Sequence, residues 1–392
     1  MLYKKLVLKS GRERSSRNRH PWIFSGAVKV MPNAENGEII EVRTNADELI
    51  GYGFFSPSSQ ITCRLFEFSE EPKVIDDNYW FAKIENAFHV RKQLFNPAET
   101  NCYRLLHAEG DFFPGIIVDV YGEVAVLQLL VKGTEHISET IIHCLNKLGF
   151  KFIYLKTKQS TQLLEQVEQG SRWIGESHPM PVVVLEHGIP FSVNVETGQK
   201  TGFFIDQREN RKLTAEWSKD KTVLNTFSYS GGFSLYALAA GANLVHSVDS
   251  SKDAIALCDA NIQLQGSQNK HESFVEDCFD YLKKAPENLY DIIILDPPAF
   301  AKNSRSVDNA ARGYKNLNAL GFQKVKPGGL LFTYSCSQHI DKDLFRKIVF
   351  SAAAESRRNV RVLRQLSQPE DHPINIYHPE GEYLKGLMLL VD

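Results

Sequence analysis

Several things are scarce in this 392-residue chain, and each scarcity excludes a class of protein. Its six cysteines (Cys63, Cys102, Cys144, Cys258, Cys278 and Cys336) are far apart, with no C-x-x-C pair and no histidine at metal-ligand spacing. Neither a disulfide framework nor a zinc site is expected, and no metal is assigned. No apolar run approaches the roughly 20 residues needed to span a bilayer, and Met1-Leu-Tyr-Lys-Lys-Leu lacks the apolar core of a signal peptide, so a cytoplasmic protein without membrane contact is expected. Net charge is also nearly absent, at −2, which argues against a uniformly basic nucleic-acid binder. Glycine in the G-x-G-x-x-G pattern is missing too, and with it the usual cradle for a pyrophosphate.

What is present is ordinary globular composition, 43% hydrophobic and 23% charged, in a chain long enough for two or three domains. The organising stretch is Thr222-Val-Leu-Asn-Thr-Phe-Ser-Tyr-Ser-Gly-Gly-Phe-Ser234, read as a buried strand, a glycine turn and a helix. Gly231 and Gly232 allow a tight turn and close approach to a ligand. A second strand, Leu244 to Val248, ends in Asp249 and Ser250, where a carboxylate can accept hydrogen bonds from a ribose diol. A third ends in Asp296-Pro-Pro-Ala-Phe300 and a fourth in Ser335-Cys336-Ser337. Polar residues at the carboxyl ends of several strands are the ligand site of an open α/β sheet. Without a pyrophosphate cradle the nucleoside cofactor is expected to be S-adenosylmethionine.

The chain before this region has a different character. Between Met1 and His20 stand seven Lys or Arg and one Glu, followed by Pro21-Trp-Ile-Phe24. Arg12, Arg17, Arg19 and Trp22 are candidate RNA contacts, basic groups beside exposed aromatics; a solvated charge run before a core tryptophan is the other reading. Short strands at 37–42, 49–55 and 61–66 complete a small all-β module. Asp76 to Leu94 is an amphipathic helix, and 103–156 a small α+β unit in which Glu109, Asp111 and Asp119 are assigned to scaffold or substrate contact. Residues 196–211 form a glycine-rich segment opening a helix: Phe203 and Phe204 can stack on a flat ring, Asp206 can cap, and Arg208 can hold a carboxylate. Further on, Asp277 follows a short strand with Cys278 as a packed neighbour, and the polar loop 301–312 carries Lys302 and Arg312 as RNA contacts. The tail from Asp371 to Leu390 is expected to close the sheet as a hairpin.

The motifs His-Pro-Trp-Ile-Phe-Ser-Gly at 20–26, Gly-Tyr-Gly-Phe-Phe-Ser-Pro-Ser-Ser at 51–59 and Cys-Arg-Leu at 63–65 resemble the amino-terminal PUA module of a group of bacterial ribosomal RNA methyltransferases. Together with Thr-Gly-Phe-Phe-Ile-Asp-Gln-Arg at 201–208, Asn-Thr-Phe-Ser-Tyr-Ser-Gly-Gly at 225–232, Asp-Pro-Pro-Ala-Phe at 296–300 and Tyr-Ser-Cys-Ser at 334–337, they make nearly the whole chain similar to the large subunit methyltransferase I family, which acts at cytosine C5. The resemblance implies a multidomain protein: a PUA-like β-barrel for RNA (1–73), a central α+β domain (74–185) and a Rossmann-like class I methyltransferase domain (186–392). It implies large-subunit ribosomal RNA as partner, Cys336 as nucleophile and Asp296 as the group facing N3 and the exocyclic amine of a flipped base. The expected cofactor contacts are Phe203, Asp206, Arg208, Phe227, Ser228, Tyr229, Gly231, Asp249, Ser250, Asp277, Cys278 and Asp296. A second cysteine beside the Asp-Pro motif is missing here, as in the group resembled, and the base for the C5 proton is unidentified. Three other readings stay open: a methyltransferase acting on a purine nitrogen without a thiol, a non-catalytic RNA-binding assembly factor, and a small-molecule methyltransferase. A symmetric homodimer is left open as well.

Overall fold

The computed structural model describes residues 3–157, 167, 170–301 and 303–392, which divide into two compact units. The first comprises Met1–Val184, Val193–Phe203 and Glu370–Gly381; the second comprises Leu185–Ser192, Phe204–Pro369 and Glu382–Asp392. No helix among the described residues is long and apolar enough to cross a membrane.

The first unit holds two sheets. Strands β1 (Lys4–Leu8), β2 (Trp22–Phe24), β3 (Val28–Val30), β4 (Ile39–Arg43), β5 (Leu49–Phe55) and β6 (Ile61–Phe68) form a six-stranded sheet in the order β2-β6-β5-β4-β1-β3. The only parallel pair in it is β1 with β4. Every residue of β5 is buried, which explains Gly51 and Gly53: a Cβ on either would meet the backbone oxygen of Glu67 at 2.0 Å or of Arg64 at 2.6 Å. The second sheet runs β11-β10-β9-β8-β7, from β7 (Cys102–His107), β8 (Ile116–Tyr121), β9 (Val124–Leu129), β10 (Phe152–Leu155) and β11 (Arg172–Ile174). One core joins both sheets: Phe54 and Phe66 from the first pack on Trp80 of the helix Asp77–Leu94, and Leu105 and Val118 of the second belong to the same cluster.

The three acids of this region are structural. Asp119 accepts bidentately from Arg104 at 2.6 and 2.8 Å, Asp111 from Arg91 at 2.8 and 2.6 Å, and Glu109 from the Trp22 indole at 2.9 Å. The two aspartates offset the burial of the guanidinium charges they pair with.

A two-stranded hairpin, β12 (Val182–Glu186) with β13 (Ile189–Val193), precedes the third sheet. That sheet has seven strands in the order β16-β15-β14-β17-β18-β20-β19: β14 (Thr222–Thr226), β15 (Leu244–Asp249), β16 (His271–Val275), β17 (Tyr290–Leu295), β18 (Val325–Ser335), β19 (Val360–Ser367) and β20 (Lys385–Val391). The pairs from β16 to β18 are parallel, and β20 runs antiparallel to both β18 and β19. Strand order reverses between β14 and β17, which makes their carboxyl ends the switch point where such sheets bind ligands. The central strands β14, β17 and β18 are buried along most of their length and read as apolar runs, as strands covered on both faces do, whereas the outer strand β16 is half-buried to exposed and β19 is largely exposed.

Two expectations about elements are corrected. The closing hairpin is β19 with β20, while 370–381, expected inside it, belongs to the first unit. The segment 301–312, expected as a loop, already contains the start of the helix Val307–Lys324. Buried Ala310, Tyr314 and Leu317 recur at 3.6-residue spacing there, and the Asn303 side chain caps the preceding turn.

Candidate active site

The turn after β14 carries three positive φ angles in five residues, at Phe227 (54°), Tyr229 (44°) and Gly231 (79°). Left-handed conformations at two bulky residues are costly, and the surroundings hold them. The Phe227 N–H lies 3.2 Å from the Cys278 Sγ, the Ser228 N–H donates to the Val248 carbonyl at 3.0 Å, and the Tyr229 N–H donates to Asp249 Oδ2 at 3.0 Å. Asp249 Oδ1 accepts from the Ser251 N–H at 2.9 Å. Gly231 is required as well by its neighbour: a Cβ there would stand 2.5 Å from the Cys258 Sγ. Below the turn, Asn261 donates to the Ser230 carbonyl, and Asn225, Ser234, Ser247 and His271 form a hydrogen-bonded chain.

This turn fits a nucleoside cofactor on structural grounds. The Ser228 hydroxyl is buried with no hydrogen-bond partner among the described residues, so it is a polar group whose burial calls for a ligand. Asp249 is half-buried and, with two bonds made, keeps acceptor capacity. Ser250 is exposed beside it.

The other expected cofactor residues divide. Asp277 is exposed and caps the helix Cys278–Lys284, accepting from the Phe279 and Asp280 amides. Cys278 is 2% exposed, and burial pushes its thiol up to about 12, so it is a packing residue supporting Phe227. Asp206 does not cap a helix: the helix Arg208–Glu216 starts after Gln207 without a side-chain cap, and Asp206 Oδ2 accepts from the Tyr383 hydroxyl at 2.7 Å. Phe203 lies in the first unit and is buried, whereas the Phe204 ring sits edge-on to Tyr229 at 5.3 Å. Arg208 is fully buried, its Nε 3.4 Å from Glu209 of the same helix.

At the ends of β17 and β18, Asp296 and Cys336 are the half-buried polar residues. Cys336 is the only one of the six cysteines that is not buried. The turn around it is tied on several sides: the Ser337 hydroxyl accepts from the Ala301 N–H at 3.1 Å and shares a hydrogen bond of 3.0 Å with the Tyr314 hydroxyl. The Phe300 ring packs on Tyr314 at 4.6 Å and closes on Gly313, where a Cβ would come within 3.1 Å. The charge of Asp296 reaches buried Tyr334 and adds to the burial that pushes its phenol upward.

Sequence reasoning missed Glu186, Arg211, Tyr314 and Lys385. Lys385 had a signal, a lone lysine in the apolar run Tyr383-Leu-Lys-Gly-Leu-Met-Leu-Leu-Val391. Glu186 and Arg211 had none, because the two meet only across the fold.

Among the expected RNA contacts, Arg12 and Arg312 are exposed, and Arg17 is exposed in an ion pair with Glu48. The Arg19 guanidinium lies over the Phe68 and Tyr377 rings at 5.1 and 5.8 Å. Lys302 lies outside the described residues. Trp22 is half-buried, closer to the core reading than to the exposed one; its ring packs on His378 at 4.4 Å, while Phe24, two residues on, is 49% exposed. One trio not apparent from spacing, Cys258, Asp259 and His271, has its ligand atoms within 4.8 Å. Burial holds that thiol protonated, up to about 12, and His271 Nε2 is engaged by Ser247 at 2.8 Å.

Comparison with known proteins agrees with the fold. An S-adenosylmethionine-dependent methyltransferase family matches residues 162–377, and a PUA-like domain matches residues 6–68. A Streptococcus mutans protein described as a SAM-dependent methyltransferase superposes with a TM-score of 0.84 at 25% identity, over 100% of both chains. A methyltransferase solved in complex with SAH matches equally, at 26% identity. Two proteins named ribosomal RNA large subunit methyltransferase I are each 38% identical. That of Alteromonas mediterranea aligns over 388 residues and that of Klebsiella pneumoniae strain 342 over 392, with 98% of both chains covered in each case. The chain, a PUA-like domain joined to an S-adenosylmethionine-dependent methyltransferase fold, belongs to the ribosomal RNA large subunit methyltransferase I family.

Proposed function

We propose that this protein forms 5-methylcytosine in large-subunit ribosomal RNA, with Cys336 as nucleophile. The observation that carries the reading is the placement of the one accessible thiol at the carboxyl end of β18, on the strand adjacent to the one that ends in Asp296. Carbon 5 of cytosine is too weakly nucleophilic to take a methyl group unaided. The Cys336 thiolate forms a bond to C6, and the electron pair of the C5–C6 double bond moves to C5. Bound S-adenosylmethionine supplies the electrophilic methyl group. Asp296 faces the exocyclic amine and N3 of the flipped base and stabilises the charge that builds there. Loss of the C5 proton then restores the double bond and expels the thiolate.

In this reading Asp249 and Ser250 face the ribose, Asp277 the adenine amino group, and Phe227, Ser228, Tyr229 and Gly231 line the cofactor. Division into domains at 1–73, 74–185 and 186–392 is part of the proposal. RNA is held by Arg12, Arg17 and Arg19 with Phe24 as an exposed stacking ring, and by Arg312. Incubation of unmodified large-subunit ribosomal RNA with the protein and S-adenosylmethionine, followed by nucleoside mass spectrometry, tests the reaction. New 5-methylcytidine is expected. A methylated purine nitrogen would retire the thiol mechanism.

Asp249→Ala is expected to weaken S-adenosylmethionine binding by roughly 1.5 to 3 kcal/mol, the worth of charge-assisted hydrogen bonds. The same carboxylate holds the Tyr229 amide, so Asp249→Asn, which keeps an acceptor there, should lose less. Calorimetric titration distinguishes them, and an unchanged affinity in the alanine variant would remove the ribose assignment.

A further inference from the structure

Lys385 opens β20 and is 4% exposed, in a strand otherwise made of apolar residues and Gly386. A buried ammonium has to be held by something. Its Nζ donates to the Ser337 carbonyl at 2.7 Å and to the Ile340 carbonyl at 2.5 Å, the two backbone acceptors of the turn that leaves Cys336. In the β18–β20 ladder its register partner is Ser335, the residue before Cys336. The cation therefore stands beside the cysteine and ties down the chain beyond it.

The electrostatics are consistent with this placement. Burial pushes Lys385 down to about 8, and the nearness of Cys336, Asp341 and Glu382 works against that depression. Lys342 acts the other way but is ion-paired with Glu382. Tyr314, on the helix packed over the turn, also senses the charge of Cys336. Burial pushes the thiols of Cys258 and Cys278 up to about 12.

We propose that Lys385 is a positioning residue for Cys336, fixing the 336–340 turn through two carbonyls and favouring the thiolate by its charge. The inference rests on Cys336 being the nucleophile. Lys385 takes no proton in the process; the thiol proton leaves to solvent, and the ammonium stabilises the anion left behind. The sign follows: Lys385 is charged below about pH 8, and its support is lost as pH rises through that value.

The test is alkylation of the full-length protein by iodoacetamide from about pH 6 to about pH 10, read by mass spectrometry on the Cys336 peptide. In Lys385→Met the alkylation rate at neutral pH should fall about tenfold and its pH profile move up by about one unit. The methylation kcat should fall with it while KM for S-adenosylmethionine stays put. In Lys385→Arg, which stays charged, the thiolate is retained and the alkaline decline of methylation near pH 8 moves upward. An alkylation profile in Lys385→Met that overlays the wild type overturns the proposal. Should that variant not fold, a wild-type alkaline decline that persists unshifted in Lys385→Arg overturns it equally. Failure of the underlying reading looks different: Cys336→Ala would keep methylating, whatever Lys385 does to the alkylation profile.

Discussion

Replacing Cys336 by alanine is expected to lower the single-turnover methylation rate by at least about a thousandfold, roughly 4 kcal/mol of barrier. The affinity for S-adenosylmethionine should stay within about twofold. The loss is large because no other thiol can replace it: Cys258 and Cys278 are buried, and burial keeps both protonated at neutral pH. Cofactor affinity survives because the groups proposed to hold it, on the turn 227–231 and at Asp249, are fixed by hydrogen bonds that do not involve Cys336. Single-turnover assays on unmodified ribosomal RNA with parallel calorimetry separate the two quantities. Retained methylation would point to attack by an amino or ring nitrogen, which needs no thiol. Joint loss of binding and turnover would make Cys336 a structural residue.

The second large effect concerns stability. Glu186→Ala should cost about 3 to 5 kcal/mol in urea unfolding, because it leaves the Arg211 charge buried without its carboxylate. Glu186 is 0% and Arg211 2% exposed, and the pair is bidentate at 2.8 Å on both sides. Arg211 also donates to the Phe204 carbonyl at 2.9 Å, and the Tyr236 hydroxyl lies 3.1 Å from Glu186 Oε1. The same arginine touches the cofactor turn from below, since a Cβ on Gly232 would meet its Cδ at 3.0 Å. A shifted Arg211 therefore disturbs the start of the helix Gly232–Ala239, and S-adenosylmethionine affinity should fall about tenfold as well, near 1.4 kcal/mol. The double variant Glu186→Ala with Arg211→Met should recover most of the stability, because an apolar replacement of a buried pair leaves no unpaired charge. A single variant costing less than about 1 kcal/mol would show that the pair contributes little.

Local pattern made much of the molecule legible. Strands β14, β15, β17 and β18 carry apolar runs bounded by glycine, proline and acids, so their existence and their polar carboxyl ends could be read directly from the sequence. Gly231 has a local reason visible in sequence, a turn needing positive φ, and the structure adds a second one in the Cys258 sulfur. The misreadings share a cause. Trp22 follows a basic run that left exposed and core readings both open; His378 packs on its ring, and nothing between residues 22 and 378 encodes that meeting locally. Asp206 has the chemistry of a cap, but the Tyr383 hydroxyl takes its carboxylate. Residues 307–312 are polar because much of one helical face meets solvent, and the buried face shows only when Ala310, Tyr314 and Leu317 are placed on one helix.

By itself the sequence determined the strands β14, β15, β17 and β18, the turn that carries the cofactor chemistry and the cysteine at the end of β18, because these depend on residues within a few positions of one another. Only the tertiary structure decided which cysteine is accessible, which acids serve as scaffold and which cation stands beside Cys336. Those properties arise from burial and from pairings between residues as far apart as Arg104 and Asp371, or Ser337 and Lys385. Burial sets the cost of a charge, and a contact between distant segments decides whether that cost is met.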